Sequence, residues 1–201
     1  MMKDSGTATV LPQIIQGGMG IGVSNWKLAR AVSLEGQLGV VSGTALNSLL
    51  VRRLQLGDRD GSMRRALANC PLSEAARRIE SVYFIVGGKD SAQRHRLASM
   101  YSHLSANDVI ELTIVANFAE VFLAKEGHAG LVGLNLLEKV QLPTLPSLYG
   151  AMLAGVDYVL MGAGIPRSIP GVLDRLAAGE SVELKLNVEG ASAGNDERNH
   201  E

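Results

Sequence analysis

The sequence predicts an α/β fold of parallel strands joined by helical crossovers. Three observations carry that prediction. Short runs rich in Val, Leu and Ile recur at residues 12–16, 38–41, 131–136 and 156–161. Each is followed by a segment of helical period, and such alternation implies parallel strands with helices crossing between them. The chain holds 23 Gly but only 4% aromatic residues, which suits tight turns around an aliphatic core.

The elements follow in order. Residues 1–10 read as a tail. Residues 12–16 form a short apolar run stopped by Gly17-Gly18 and read as a buried strand. Ser24 or Asn25 caps a helix reaching about Leu34, with Gly36 as its C′ residue. Residues 38–41 are a second run of β-formers, ended by Ser42-Gly43, and a helix over 46–56 follows. Residues 57–110 break the rhythm and read as a helical insertion. Within it, short helices fit 61–69 and 73–81, residues 82–86 fit an edge strand or a helix end, and Gly87-Gly88 is a turn.

The alternation resumes with a helix over 112–126 closed by Gly127, although the β-branched run Thr113-Ile114-Val115 leaves its first turn ambiguous. Residues 131–136 are a third strand. Thr144 caps a helix that has Pro146 in its first turn and runs to about Ala154. Residues 156–161 are a fourth strand, and Pro170 opens a helix to about Ala178. Residues 182–188 alternate like an exposed strand or a hairpin arm, and 191–201 read as a disordered tail. The partial α/β domain therefore spans 11–190.

Composition excludes several functions. With 201 residues the chain is about one domain, at ~150 residues each. Hydrophobic residues at 46% against 19% charged rule out gross disorder. Nineteen basic and twenty acidic residues leave a net charge of -1, which argues against a nucleic-acid or acidic-membrane binder. No apolar run approaches the ~20 residues of a membrane span, and no signal peptide is visible in residues 1–10. A cytoplasmic location is the expectation. The charge is divided unevenly: residues 52–96 carry ten basic and five acidic side chains. A solvated helical surface is the simpler reading, and a contact surface for an acidic partner is the other.

The chemistry-bearing residues are few. Gln16-Gly17-Gly18-Met19-Gly20-Ile21-Gly22 lies between the first strand and the first helix, where glycines let backbone turn sharply or approach a ligand. It lacks the Gly-Lys-Ser/Thr of a phosphate loop, and its third fingerprint position falls on Val23. Spacing alone leaves a cofactor loop and a plain turn equally open. Asn135 ends an otherwise apolar strand, a position that serves ligands in barrel enzymes but also suits a buried amide bonded to backbone. Met161-Gly162-Ala163-Gly164-Ile165-Pro166, and more weakly Ser42-Gly43-Thr44, end strands in the same way. His95, His103, His128 and His200 have no partner at triad or metal-ligand spacing, and His128 can simply complement a helix dipole. Cys70, the one cysteine, excludes an internal disulfide or a multi-cysteine metal site and reads as inert.

Residues 12–24, Pro12-Gln13-Ile14-Ile15 followed by the glycine loop and Val23-Ser24, resemble the opening of the nitronate monooxygenase family, formerly the 2-nitropropane dioxygenases. Ala124-Lys125-Glu126-Gly127-His128 with Gly133-Leu134-Asn135 supports the likeness. So does Leu142-Pro143-Thr144-Leu145-Pro146-Ser147-Leu148-Tyr149-Gly150-Ala151-Met152. The chain is similar to an insertion-bearing branch of that family, and also to the trans-acting enoyl reductases of polyunsaturated fatty acid synthases. The resemblance covers most of 11–190.

The resemblance implies an FMN-dependent (β/α)8 barrel that oxidises alkyl nitronates with O2. It places Gly18, Met19 and Gly20 beside the flavin ring and makes Asn135 a flavin contact. A complete barrel takes eight units and ~250 residues, whereas four units are legible here. The family's Gly-Gly-His base segment is absent from the chain. The expectation is therefore the N-terminal half of such an enzyme, from a truncated, split or fragmentary gene, with its catalytic base in the other half. An FMN-dependent enoyl reductase component and a non-catalytic half-barrel needing a second chain are the alternatives.

Overall fold

The computed structural model describes residues 11–102 and 107–187, with the backbone of 199–200. A three-stranded parallel sheet, in the order β1-β2-β3, is formed by β1 (Gly39–Ser42), β2 (Val132–Leu137) and β3 (Tyr158–Gly162). Helices α1 (Trp26–Leu34), α2 (Leu46–Gln55), α3 (Ser62–Ala68), α4 (Ser73–Tyr83) and α5 (Asn107–Lys125) precede or follow β1. Helices α6 (Thr144–Leu153) and α7 (Ile169–Ala177) flank β3. The fold is α/β, and the sheet is open among the described residues.

The first apolar run corrects the reading of a buried strand. It makes one parallel bridge, Ile15 opposite Leu38, with Gln16 N donating to Leu38 O at 3.0 Å. No strand covers its outer edge among the described residues, so Ile14 and Ile15 are 64% and 57% exposed. Asn25, rather than Ser24, caps α1, because its side chain accepts from Lys27 N and Leu28 N. Ser24 Oγ is turned instead to Met19 O at 2.7 Å.

Helix α5 begins earlier than its pattern suggests and carries the β-branched run inside it. Twelve of its residues are buried, on all sides, so no amphipathic stripe marks its limits. Thr113 Oγ1 donates back to Val109 O at 2.9 Å, which keeps the hydroxyl satisfied within the core. Thr144 is the first residue of α6 and not its cap. Pro143 occupies the cap, and Thr144 Oγ1 donates to Val140 O. Residues 82–86 divide between the end of α4 and an extended Phe84. Within 182–187 only β4 (Leu184–Lys185) is strand, and it pairs antiparallel with β5 (Asn199–His200), as the hairpin-arm reading has it; residue 188 lies outside the described residues. Residues 1–10, and residues 191–198 and 201 of the C-terminal tail, lie outside the described residues.

The insertion is part of the core. Met63, Ala66, Leu67, Cys70, Ala75, Ala76 and Ile79 join α5 and β2 in one hydrophobic cluster. Part of its excess positive charge is met from elsewhere in the chain. Arg65 makes a two-pronged bond to Glu126 at 2.8 and 3.0 Å, and Arg78 reaches Glu111 at 2.5 Å. Arg53, near the start of the basic segment, pairs with Glu120, whose other oxygen accepts from Trp26 N at 2.9 Å. All three carboxylates belong to α5 or the residue after it. Burial pushes the Glu120 carboxyl up, against the opposing pull of Arg53 and Trp26 N. At the start of α3, Asp58 accepts from Met63 N and Arg64 N, both at 3.0 Å. Asp60 accepts from Ser62 Oγ at 2.7 Å. No described helix is long and apolar enough to cross a membrane.

Breaking a buried pair leaves an uncompensated charge, so Glu120→Ala is expected to cost about 3–5 kcal/mol. Arg53→Met combined with Glu120→Leu is expected to cost less than the two single changes summed. Urea denaturation of the native chain, Glu120→Ala, the two single changes Arg53→Met and Glu120→Leu, and their double variant measures both. A second outcome concerns acid. The Ser62 hydroxyl first, then Ser62 N and Lys27, hold Asp60 at about 2 against 3.8 in a free chain. A lowered carboxyl contributes stability that is full above 3.8 and is lost as pH falls from there to about 2. The stability gap between the native chain and Asp60→Asn should close over that interval.

Candidate functional site

The site lies at the carboxyl edge of the parallel sheet, where α/β proteins hold ligands because strand ends and helix starts meet there. Four loops converge along it. Residues 17–24 follow the Ile15 bridge, Gly43-Thr44-Ala45 follows β1, Glu138 follows β2, and Ala163-Gly164 follows β3. Register sets Asn135 opposite Ser42 on one side and Leu160 on the other.

Asn135 and the glycine loop form one unit. Asn135 Nδ2 donates to Gly17 O at 2.6 Å and reaches Met19 Sδ at 3.4 Å. Its Oδ1 is buried without a hydrogen-bond partner, as is Gln16 Nε2. Gln16 spends its own oxygen on Val40 N at 3.0 Å. Buried amides are normally satisfied, so two orphans beside one loop ask for a ligand or a water. The loop is tied from its far end as well, with Val23 N and Ser24 N both donating to Gly20 O at 3.1 Å. Ser42 N donates to Ser24 O, which fixes the start of α1 against β1.

Three of the four candidate residues, Gly18, Met19 and Asn135, are therefore brought together. Gly18 has φ +63, and a Cβ there would press on Val40 and come within 2.9 Å of the Asn135 Cβ. Its glycine is required by packing and by backbone alike. Gly20 stands slightly apart: a Cβ on it would meet only Val23, so it serves the turn. Met19 and Ile21 are 54% and 53% exposed, and Met19 makes an apolar ledge beside Asn135.

The exposed Met19 side chain offers an apolar surface, a Cβ at Gly17 would meet nothing within 4 Å, and Asn135 Oδ1 is an unused acceptor for an N–H of a ligand. Residues 16–24 and Asn135 include no cation.

Sequence reasoning named Gln16 only as part of the glycine stretch and Ser24 only as a cap, and it passed over Glu138. Glu138 Oε2 is buried without a hydrogen bond, beneath Gly164, with Lys139 Nζ at 3.6 Å. Its signal was a charge closing an apolar strand three residues after Asn135. Ala163, between the two glycines of the last loop, has φ +62, a strained value for a residue with a Cβ.

The remaining candidates are structural or outside this edge. His128 contacts Ala124 O through Nε2 at 2.6 Å and accepts from Gly130 N through Nδ1, so both ring nitrogens are spent on backbone. His95 sits in the insertion, where desolvation, then Lys89 and Arg52, lower its pKa. His103 lies outside the described residues, and His200 contributes backbone to β5. Cys70 is buried in the core, and burial pushes its thiol up. Among the described residues, no three His, Cys, Asp or Glu side chains gather as metal ligands. Comparison with family models, with curated proteins and with solved structures gives no match.

Gly18→Ala is expected to destabilise the fold by about 1–3 kcal/mol, from the left-handed φ and from crowding against Val40. It should also displace Asn135. Backbone amide shifts at Asn135 and Gly17, read by NMR beside a denaturation curve, check both parts.

Proposed function

We propose that the chain is the N-terminal half of a TIM-type (β/α)8 barrel and belongs to an FMN-dependent oxidoreductase of the nitronate monooxygenase type. The observation that carries this reading is the unit formed by Asn135 with Gly17, Gly18 and Met19 at the carboxyl edge of a parallel sheet, with Asn135 Oδ1 buried and unpaired. The order bridge, β1, β2, β3, with helices crossing between strands, supports four consecutive units of such a barrel.

FMN, when bound, supplies the electron transfer from a small organic substrate such as an alkyl nitronate to O2. The chain's own residues do the rest. Asn135 Nδ2 holds the loop down by its grip on Gly17 O, and its Oδ1 accepts a ring N–H. Met19 and Ile21 screen one ring face from water. No residue of this half is assigned as a base, because both nitrogens of His128 are committed to backbone.

A half-barrel that needs a second chain is the other reading, and one observation favours it. The outer edge of the Ile15 bridge carries exposed apolar side chains, and β3 has no outer partner among the described strands. Open apolar edges are templates for association.

Titration with FMN, followed by flavin fluorescence, tests the proposal. Binding is expected to be weak in the chain alone and to strengthen once the missing half is supplied. Asn135→Leu should weaken it by about 1–3 kcal/mol, the cost of losing one hydrogen bond inside a buried site, with an unchanged circular dichroism spectrum. FMN affinity that is the same in both proteins removes Asn135 from the site. An absence of binding, with or without the other half, overturns the flavin reading.

A further inference from the structure

A cavity of about 880 Å³ opens beside the flavin edge, walled by the start of α2, by residues 98–102 and by the β2–α6 connection. Gly43 connects the two places, since it lines the cavity and its N–H donates to Asn135 O at 2.8 Å. A second chamber of about 390 Å³, between α5, α6 and α7, shares Tyr101 and Leu142 with the first. The two chambers meet at those side chains and are together termed the trough.

The chemistry of its walls is uneven. Leu46, Met100, Val140, Leu142 and Leu186 make the larger chamber mainly aliphatic. Lys139 is the one charged side chain lining that chamber. It is 74% exposed and forms an ion pair with Glu138 at 3.6 Å, longer than a hydrogen bond, so its N–H donors can take a second acceptor. In the second chamber the one charged lining residue is Glu180. A cation at one end and a carboxylate at the other set a direction: an anionic head is drawn to the Lys139 end, and the Glu180 end repels it.

The start of α2 adds to this without being needed for it. Ala45 caps α2 with a left-handed backbone and no side-chain bond, and the first turn has no acidic residue. Leu46 and Asn47 therefore keep donor N–H groups at the cavity wall, and the helix dipole favours negative charge there. Ser147, 1% exposed, also lines the chamber, and its hydroxyl accepts from Asn117 Nδ2 at 3.2 Å, leaving its proton to give.

We propose that this trough binds an aliphatic carboxylate, with the carboxylate at Lys139 and the α2 start and the hydrocarbon tail running past Leu142 and Tyr101. The site takes its ligand through wall chemistry alone and does not depend on flavin.

Isothermal titration of the full chain without FMN, using decanoate, hexanoate, acetate and decylammonium as probes, tests it. Decanoate is expected to bind saturably at one per chain. Each methylene removed should weaken binding about fourfold, so acetate shows none, and decylammonium should bind at least about tenfold more weakly. Lys139→Glu, at an exposed position that spares the fold, should weaken decanoate about fivefold or more. Leu142→Trp, which narrows the trough, should abolish its binding while the circular dichroism spectrum stays native. Equal binding of decanoate and decylammonium would show non-specific uptake by an apolar surface and overturn the proposal. So would unchanged affinity in the Lys139→Glu protein, or an absence of decanoate binding. None of those results bears on the FMN titration, so the two readings fail separately.

Discussion

Helix α5 is buried on every side, and that constraint organises the molecule. A helix in that position must bring any charge it carries to a partner, because an unpaired carboxylate in the interior is far costlier than a lost hydrogen bond. Glu120, 3% exposed, is the test of this. Its two oxygens take Trp26 N at the first turn of α1 and the guanidinium of Arg53 on α2. One side chain thus fixes the positions of three helices, and the glycine loop that begins the functional edge runs directly into α1. The pair adds little net stability against a well-packed apolar substitute, and its stronger effect is to permit one arrangement of these helices and penalise others.

The same logic explains the basic insertion. Arg65 and Arg78 cross to Glu126 and Glu111 at the two ends of α5, while Met63, Leu67 and Ile79 beneath them fill the core. Exposed pairs of this kind contribute little each. The apolar cluster holds α3 and α4 down, and the charges decide their register along α5. Three charges of that basic excess are met by carboxylates of the chain's own central helix or the residue after it.

At the sheet the determining constraint is close approach. Gly18 lies against Val40 and Asn135, which allows the Asn135 amide to reach Gly17 O. Ser24 and Ser42 then lock the loop to β1. The loop is held in shape from both ends before any ligand arrives, and the acceptor left over on Asn135 is the part available for binding. The large trough next to it arises differently, from connections that leave the sheet and spread apart, so its walls are side chains from distant parts of the chain.

How much of this was legible in the sequence depended on the range of the signal. Local patterning determined the α/β class, the sequence of helices and strands, the glycine loop as a turn between strand and helix, and Asn135 as the polar residue ending an apolar strand. Period, turn residues and caps act over a few neighbours and can be read from one chain. The ends of α5 were not legible, because a helix apolar all round has no stripe to mark where burial stops. Nor was the exposure of Ile14 and Ile15, since a run of β-formers reads as buried whether or not a neighbouring strand exists. The pairing of Glu120 with Arg53 and Trp26, the orphaned amides of Gln16 and Asn135, and the cavity that Lys139 lines joined residues far apart in sequence. Those were decided by tertiary structure alone, because burial and solvation are set by what the rest of the chain brings alongside a residue, and no local pattern encodes that.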